Sequence, residues 1–272
     1  MRILDKTPLI EEDGSISFIN RIKGTLQYGF SWYPNLQMQQ KAIAILEKQL
    51  SKKFTLIRNH TLENSKITIP IILIGPPGVQ VIFVTHLHGT FRAKNDAWGT
   101  VSGGTFKEAG INLLKRTAQL GKALDIYLKR KEFKLPNEVE PILLSVNPAL
   151  HVSTVRPIVR IVMSDAVDRF AASLAQESPV MSVEVVHEMA ESIVNPRPPK
   201  APEPPPQLKS AEPGAPQIAQ TQRPRKVSRP PVKKAPTDYF GMTGKQLAVI
   251  GVMGVIVVCL LIAFILGILF FA

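Results

Sequence analysis

Apolar and polar positions along the chain change their period several times, and each change marks an expected element. From Leu36 to Leu50, Met38, Ala42, Ile45, Leu46 and Gln49 fall near one face while Lys41, Glu47 and Lys48 lie elsewhere, which predicts a helix. Lys53 to Arg58 alternates as a short strand. Ile67 to Ile74 is an apolar, β-branched run broken only by Thr68 and Pro70, the pattern of a strand buried on both faces. Gly75-Pro76-Pro77-Gly78 supplies turn chemistry and Val79 to Thr85 continues apolar, so the two runs predict a hairpin. A third short strand is expected over Gly89 to Ala93.

Glu108 to Arg130 is the longest helix candidate, with Leu113, Leu114, Leu120, Leu124 and Leu128 approximating a stripe at helical period. Two more buried strands are expected over Pro141 to Val146 and Pro157 to Val162. Ser164-Asp165-Ala166-Val167 then opens a helix toward Leu174 with Ser164 as N-cap. Val180 to Val194 is amphipathic and either packs on the domain or forms a stalk. The order is that of an α/β domain, a mixed sheet flanked by helices over residues 35–176, preceded by an N-terminal arm at 1–34 and followed by an amphipathic helix at 177–195. No internal repeat recurs at a period of 20 to 50 residues.

Beyond residue 195 the composition changes. Thirteen prolines lie between Asn195 and Pro236, with almost no large apolar residue to bury, so 196–245 is expected to be a disordered, basic, polyproline-type linker. At about 3.1 Å per residue it reaches up to roughly 100 Å; docking on a proline-recognition partner is the alternative reading. Leu247 to Ala272 holds no charged side chain. As a helix that stretch covers roughly 39 Å, enough to cross a hydrocarbon core of about 30 Å, so 246–272 is expected to be a single transmembrane helix and the protein tail-anchored. Gly251, Gly254 and Gly267 lack the four-residue interval of the close-packing dimer motif, which favours passive anchoring. The first residues lack the apolar stretch of a secretory signal, so the domain is expected on the cytoplasmic face, with the C-terminus at or across the far side.

Charge sharpens this picture. Of the net +12, residues 195–245 supply ten Lys or Arg against Glu203, Glu212 and Asp238, hence +7, leaving +5 upstream. Arg223, Arg225, Lys226, Arg229, Lys233 and Lys234 would face anionic lipid, at roughly 1 kcal/mol per cation. Nucleic acid is the other partner a basic run admits, although only Tyr239 and Phe240 interleave here as aromatics. Cys259 is the one cysteine and lies in the expected anchor, which excludes an internal disulfide framework and a cysteine-based zinc cluster.

The phrase Ile74-Gly75-Pro76-Pro77-Gly78-Val79-Gln80-Val81-Ile82, with Gly89, Trp98 and the run Asn112-Leu113-Leu114-Lys115-Arg116, resembles the nuclease-related domain family, often called NERD, over about residues 37–176. The resemblance implies a restriction-endonuclease-like core. In that core an Asp on the first hairpin strand and a Glu-x-Lys on the second hold a divalent metal and activate water, chemistry that needs oxygen ligands for a hard cation. Carried onto this chain, the Asp position is Pro70, the Glu position Phe83 and the Lys position Thr85. The family's early-helix Glu corresponds to Gln39 or Gln40 and its helix Gln to Arg116, so no acidic ligand remains. No cofactor is expected.

Other residues could still form a site. His86 and His88, two apart on a strand, point to one face and with Asp96 could offer three ligands. His60, His151 and His187 are isolated. Ser102-Gly103-Gly104-Thr105 lacks phosphate-loop spacing and is expected to be a flexible loop. On the long helix Lys115, Arg116 and Lys122 recur opposite the leucine stripe, alongside Lys107, Lys129 and Arg130, as candidates for phosphate contact. The expectation is therefore a membrane-tethered, nuclease-related module without catalysis that binds or scaffolds an unidentified protein partner. A nuclease with atypical ligands and a non-cleaving nucleic-acid binder are the alternatives.

Overall fold

The structure is a computed structural model that describes residues 1–11 and 14–196. Met1–Glu203 forms one unit, and a second, Pro204–Ala272, lies wholly outside the described residues. The elements run β1 (Arg2–Asp5), α1 (Phe18–Tyr28), α2 (Trp32–Gln49), β2 (Thr55–Thr61), β3 (Thr68–Gly75), β4 (Gly78–Val84), β5 (Gly89–Lys94), β6 (Ala97–Ser102) and β7 (Thr105–Glu108). They continue through α3 (Leu113–Arg130), β8 (Glu140–Leu144), β9 (Leu150–Val155), β10 (Arg160–Val162), a 3-10 turn at Ser164–Ala166, α4 (Val167–Gln176) and α5 (Val183–Val194).

A six-stranded mixed sheet in the order β1-β2-β3-β4-β8-β10 carries helices on both faces, so the α/β class with mixed sheets flanked by helices is what folds. Antiparallel β2, β3 and β4 form a meander, and α3 returns the chain so that β8 runs parallel to β4. Ala42, Ile43 and Leu46 of α2 pack with Phe170, Ala171 and Leu174 of α4 on one face. Leu124 and Leu128 of α3 pack with Val186, Met189, Ala190 and Ile193 of α5 on the other, so α5 docks on the domain and is no stalk. Because β3 and β4 are covered on both sides, their apolar residues run without alternation, as the pattern predicts.

The hairpin turn forms as expected, with Gly75 opposite Gly78 and the carbonyl of Pro76 accepting from the amides of Val180 and Met181. Gly75 has to be glycine, since a Cβ there would lie 2.2 Å from the Phe54 ring.

Four findings refine the expected elements. First, within residues 1–34 Arg2–Asp5 pairs in parallel with Thr55–Arg58 at the sheet edge, and α1 follows. A four-residue strand is too short to show a period. Second, α2 opens at Trp32, four residues before Leu36; Pro34 sits in its first turn, where the missing amide would have had no partner. Third, the long helix starts at Leu113, because the Asn112 side chain accepts from the Lys115 amide as N-cap; Glu108 belongs to β7. Fourth, Ser164 caps nothing through its side chain: it lies in the 3-10 turn, and α4 begins at Val167.

A second sheet, β7-β6-β5-β9, has no counterpart in the expected elements beyond Gly89–Ala93. Ser102-Gly103-Gly104-Thr105 is its hairpin turn, with φ of 57° and 81° at the two glycines, the doubly positive pair that a two-residue hairpin demands. Parallel β4 and β8 lead directly into parallel β5 and β9, so two chain segments cross side by side from one sheet to the other. The strand expected over Pro157 to Val162 shortens to β10, since it begins only past Pro157. Among the described residues no helix is long and apolar enough to cross a membrane. The expected linker, apart from Pro196, and the expected span at 246–272 lie outside the described residues.

Candidate functional site

The three positions that the family resemblance marks as metal ligands converge where the meander ends. The β3–β4 ladder runs from Gly75 opposite Gly78 to Ile71 opposite Ile82, so one further step of that register aligns Pro70 with Phe83. On the other side of β3 the ladder to β2 is also interrupted here, with pairs at Arg58–Ile71 and His60–Ile69 but none between Asn59 and Pro70. Pro70 has no amide to donate, and Asn59 takes φ of 49°. The strand faces exchange at this break. Ile71 and Leu73 belong to the α2 side, whereas Ile69 belongs with Ile72 and Ile74 on the α3 side, which strict alternation would forbid.

Phe83 is buried among Trp98, Leu113, Leu114 and Leu143. The Arg116 guanidinium lies over its ring, 5.2 Å from the centroid, a cation on an aromatic face. Thr85 is buried and its hydroxyl accepts from the Leu87 amide at 3.3 Å. Beside it at the end of β8, Ser145 accepts from the Asn147 amide at 3.2 Å, and Asn147 donates to the Leu87 carbonyl at 3.0 Å. The carboxyl ends of two parallel strands, where open α/β sheets usually leave a ligand crevice, are thus laced together by short polar turns.

Gln39, which with Gln40 is one of two candidates for the early-helix position of the resemblance, belongs to a buried polar network whose other members no sequence motif marked. Arg58 donates to Gln39 at 3.0 Å, to the Leu36 carbonyl at 2.9 Å and to Asp5 at 3.1 Å. Asn59 donates to Gln39 at 2.9 Å and to Thr7 at 2.8 Å, while Gln39 donates back to Asn59 at 3.1 Å. A signal existed: in an alternating strand, Arg58 occupies an inward position, and a buried guanidinium requires several acceptors. Its partner Asp5 lies too far away in sequence to be found by spacing.

The alternative ligands do not gather. His86 is half-buried and its Nδ1 lies 2.6 Å from the Asn35 amide oxygen; His88 is exposed. Asp96 pairs with Lys115 at 3.0 Å, and that hydrogen bond lowers its carboxyl pKa. Among the described residues no group of three or more His, Cys, Asp or Glu is placed to hold a metal ion. Of the helix cations, Lys115 is held by Asp96, Arg116 by Phe83 and Lys129 by Asp125, which leaves Lys122 and Arg130 exposed on α3. The six basic residues from Arg223 to Lys234 lie outside the described residues. A separate cleft of about 400 Å³ beside β8 and β10 is lined by Glu140, Thr154, Pro157 and Arg160, with Arg160 and Glu140 paired at 3.4 Å.

No protein-family model, curated protein or solved structure matches this chain. Around Phe83, Thr85 and Ser145 the structure shows packing and polar closure: a cation over an aromatic ring and hydroxyls that cap short turns.

Two histidines make stability depend on pH. Burial lowers the His60 pKa, with Lys6 adding to it, and burial followed by the neighbouring His88 lowers that of His86. A histidine with a depressed folded pKa binds its proton more readily unfolded, so its contribution is complete above about pH 6.5 and is lost as pH falls through the folded value. Urea midpoints should fall between pH 7 and pH 5. His60→Asn and His86→Asn should each flatten that slope; an unchanged slope in both would remove this assignment.

Proposed function

We propose that the chain is a membrane-tethered, nuclease-related module that has exchanged its cation cradle for packing and serves to bind or scaffold a partner. The observation that carries this reading is the Phe83–Arg116 contact. The positions that should offer a carboxylate and an amide to a metal instead hold a buried ring and a guanidinium 5.2 Å from its centroid, and a fixed positive charge there repels a divalent cation. Pro70 and Thr85 add no anionic oxygen, and the Thr85 hydroxyl already closes a turn. The meander, the crossover helix α3 and the parallel β8 are compatible with the restriction-endonuclease-like core that the resemblance implies. The tether is supported by the uncharged run from Leu247 to Ala272 and the prolines before it.

The test is cleavage of single- and double-stranded DNA and RNA by the full chain in detergent, with Mg²⁺ or Mn²⁺. The expected result is no chelator-sensitive turnover. Cleavage that chelator abolishes, and that His86→Ala, His88→Ala or Asp96→Ala removes, would establish the nuclease reading instead. Binding without cutting is tested in the same samples. Phosphate contacts would give an affinity whose logarithm falls linearly with the logarithm of salt, and Lys122→Ala would reduce that slope.

A further inference from the structure

α1 turns its apolar residues outward and packs through Gly24. At 100° per residue Phe18, Ile19, Ile22 and Leu26 fall within one sector of about 100°, with Gly24, Arg21 and Tyr28 on the far side. The far side is the one that packs. Gly24 faces Trp32 so closely that a Cβ would lie 2.1 Å from its ring, Tyr28 stacks on Trp32 at 5.7 Å, and Arg21 sits 4.0 Å over Tyr33. Ser17 caps the start, and Gly29, at φ of 93°, ends the helix. The apolar sector is left outside, with Phe18 and Ile19 each 75 % exposed and Phe30, just past the helix, 89 % exposed. Contiguous apolar exposure of this kind marks an interaction surface, whereas scattered single residues do not.

The surrounding charge indicates what covers it. α1 itself carries Arg21 and Lys23 and no carboxylate, with Glu11, Glu12 and Asp13 preceding it in the chain, so the helix's own charge suits an anionic surface. Glu11, which accepts from Asn20 at 2.8 Å, approaches on a side of α1 away from the apolar sector. Tyr28, Phe30, Trp32 and Tyr33 cluster at the end of the helix, side chains that favour the headgroup level of a bilayer. Eleven residues are too few to span, since crossing takes about 20, but they are enough to lie in the interface. The uncharged run at Leu247–Ala272 brings the domain within reach of a bilayer. We propose that α1 is an interfacial helix that seats Phe18, Ile19, Ile22, Leu26 and Phe30 in an anionic lipid surface and so orients the domain on the membrane. This inference draws on the tether reading, and the experiment separates the two.

The full chain carrying Cys259→Ser and an environment-sensitive fluorophore on Ile22→Cys is reconstituted into phosphatidylcholine vesicles, with or without phosphatidylglycerol as a third of the lipid. A label on Gln119→Cys, at an exposed position of α3, serves as control. The label at position 22 should shift to the blue and be quenched by brominated lipid several-fold more than the control. Anionic vesicles should strengthen the effect by up to about fivefold through Lys23, and salt should weaken it. Adding Leu26→Glu, an exposed site whose change should leave the circular dichroism unaltered, should abolish the quenching.

Vesicles that float with the chain while position 22 stays unquenched would overturn the interfacial helix and leave the tether standing. Flotation lost on Leu26→Glu alone would keep the interfacial helix and remove the tether, and no flotation of any variant would remove both. A blue shift without lipid quenching, accompanied by disulfide cross-linking of the unlabelled Ile22→Cys chain through position 22, would assign the face to a second copy and overturn the proposal.

Discussion

Replacing Trp98 by alanine is expected to cost roughly 3–5 kcal/mol, a large share of the 5–15 kcal/mol that holds an ordinary domain together. Trp98 is fully buried and stacks on Phe91 with ring centroids 4.8 Å apart. It pairs across the β5–β6 hairpin with Ala93 and packs against Phe83, Leu113, Leu114 and Leu150, so it joins the second sheet to the first helix turn of α3. Truncation would leave a cavity among side chains from several elements that cannot collapse together. Urea unfolding followed by circular dichroism measures the loss. Trp98→Phe should cost clearly less, because it keeps a ring against Phe91. Equal losses in the two variants would mean that the indole volume is not what binds the sheets.

The second large effect concerns Arg58, whose side chain is nearly buried and whose counter-ion Asp5 is about one-third exposed, at 35 %. Asp5→Ala should cost about 2–3 kcal/mol, the lower end of what removing one partner of a buried pair costs, discounted because water reaches the carboxylate. The double variant Asp5→Ala with Arg58→Met should be less damaged than Asp5→Ala alone, since no guanidinium is then left in the interior without its anion. Denaturation midpoints of the single and double variants decide it. A double variant less stable than the single would show that the hydrogen bonds to Gln39 and the Leu36 carbonyl outweigh the charge.

These two positions also show where the sequence was legible. Trp98 could be noted as one of two tryptophans, but nothing near it in sequence announced β6, β7 or β9. Those strands are short and half-exposed, and β9 pairs with β5 across more than fifty residues. Arg58 was readable as an inward position of a strand, yet its anion is Asp5, reached only because β1 adds in parallel at the sheet edge. The expected His86, His88 and Asp96 set shows the same limit. Spacing placed two histidines on one strand, whereas the chain leaves β4 at Val84, and the ion pair with Lys115 commits Asp96 elsewhere.

By itself the sequence determined the elements whose burial is uniform or periodic: the hairpin of two apolar strands about Gly75 and Gly78, the leucine stripe of α3, the amphipathic α5, and the absence of any acid at positions 70, 83 and 85. These follow from local chemistry and from side-chain periods that need no partner to be read. Tertiary structure alone decided that α1 locks its glycine face to α2 and leaves its apolar face outside. It alone decided that the strand faces exchange at Asn59 and Pro70, and that Arg116 covers Phe83. Each of those outcomes depends on which surfaces meet at long range, and a one-dimensional pattern records how apolar a face is but not what it meets.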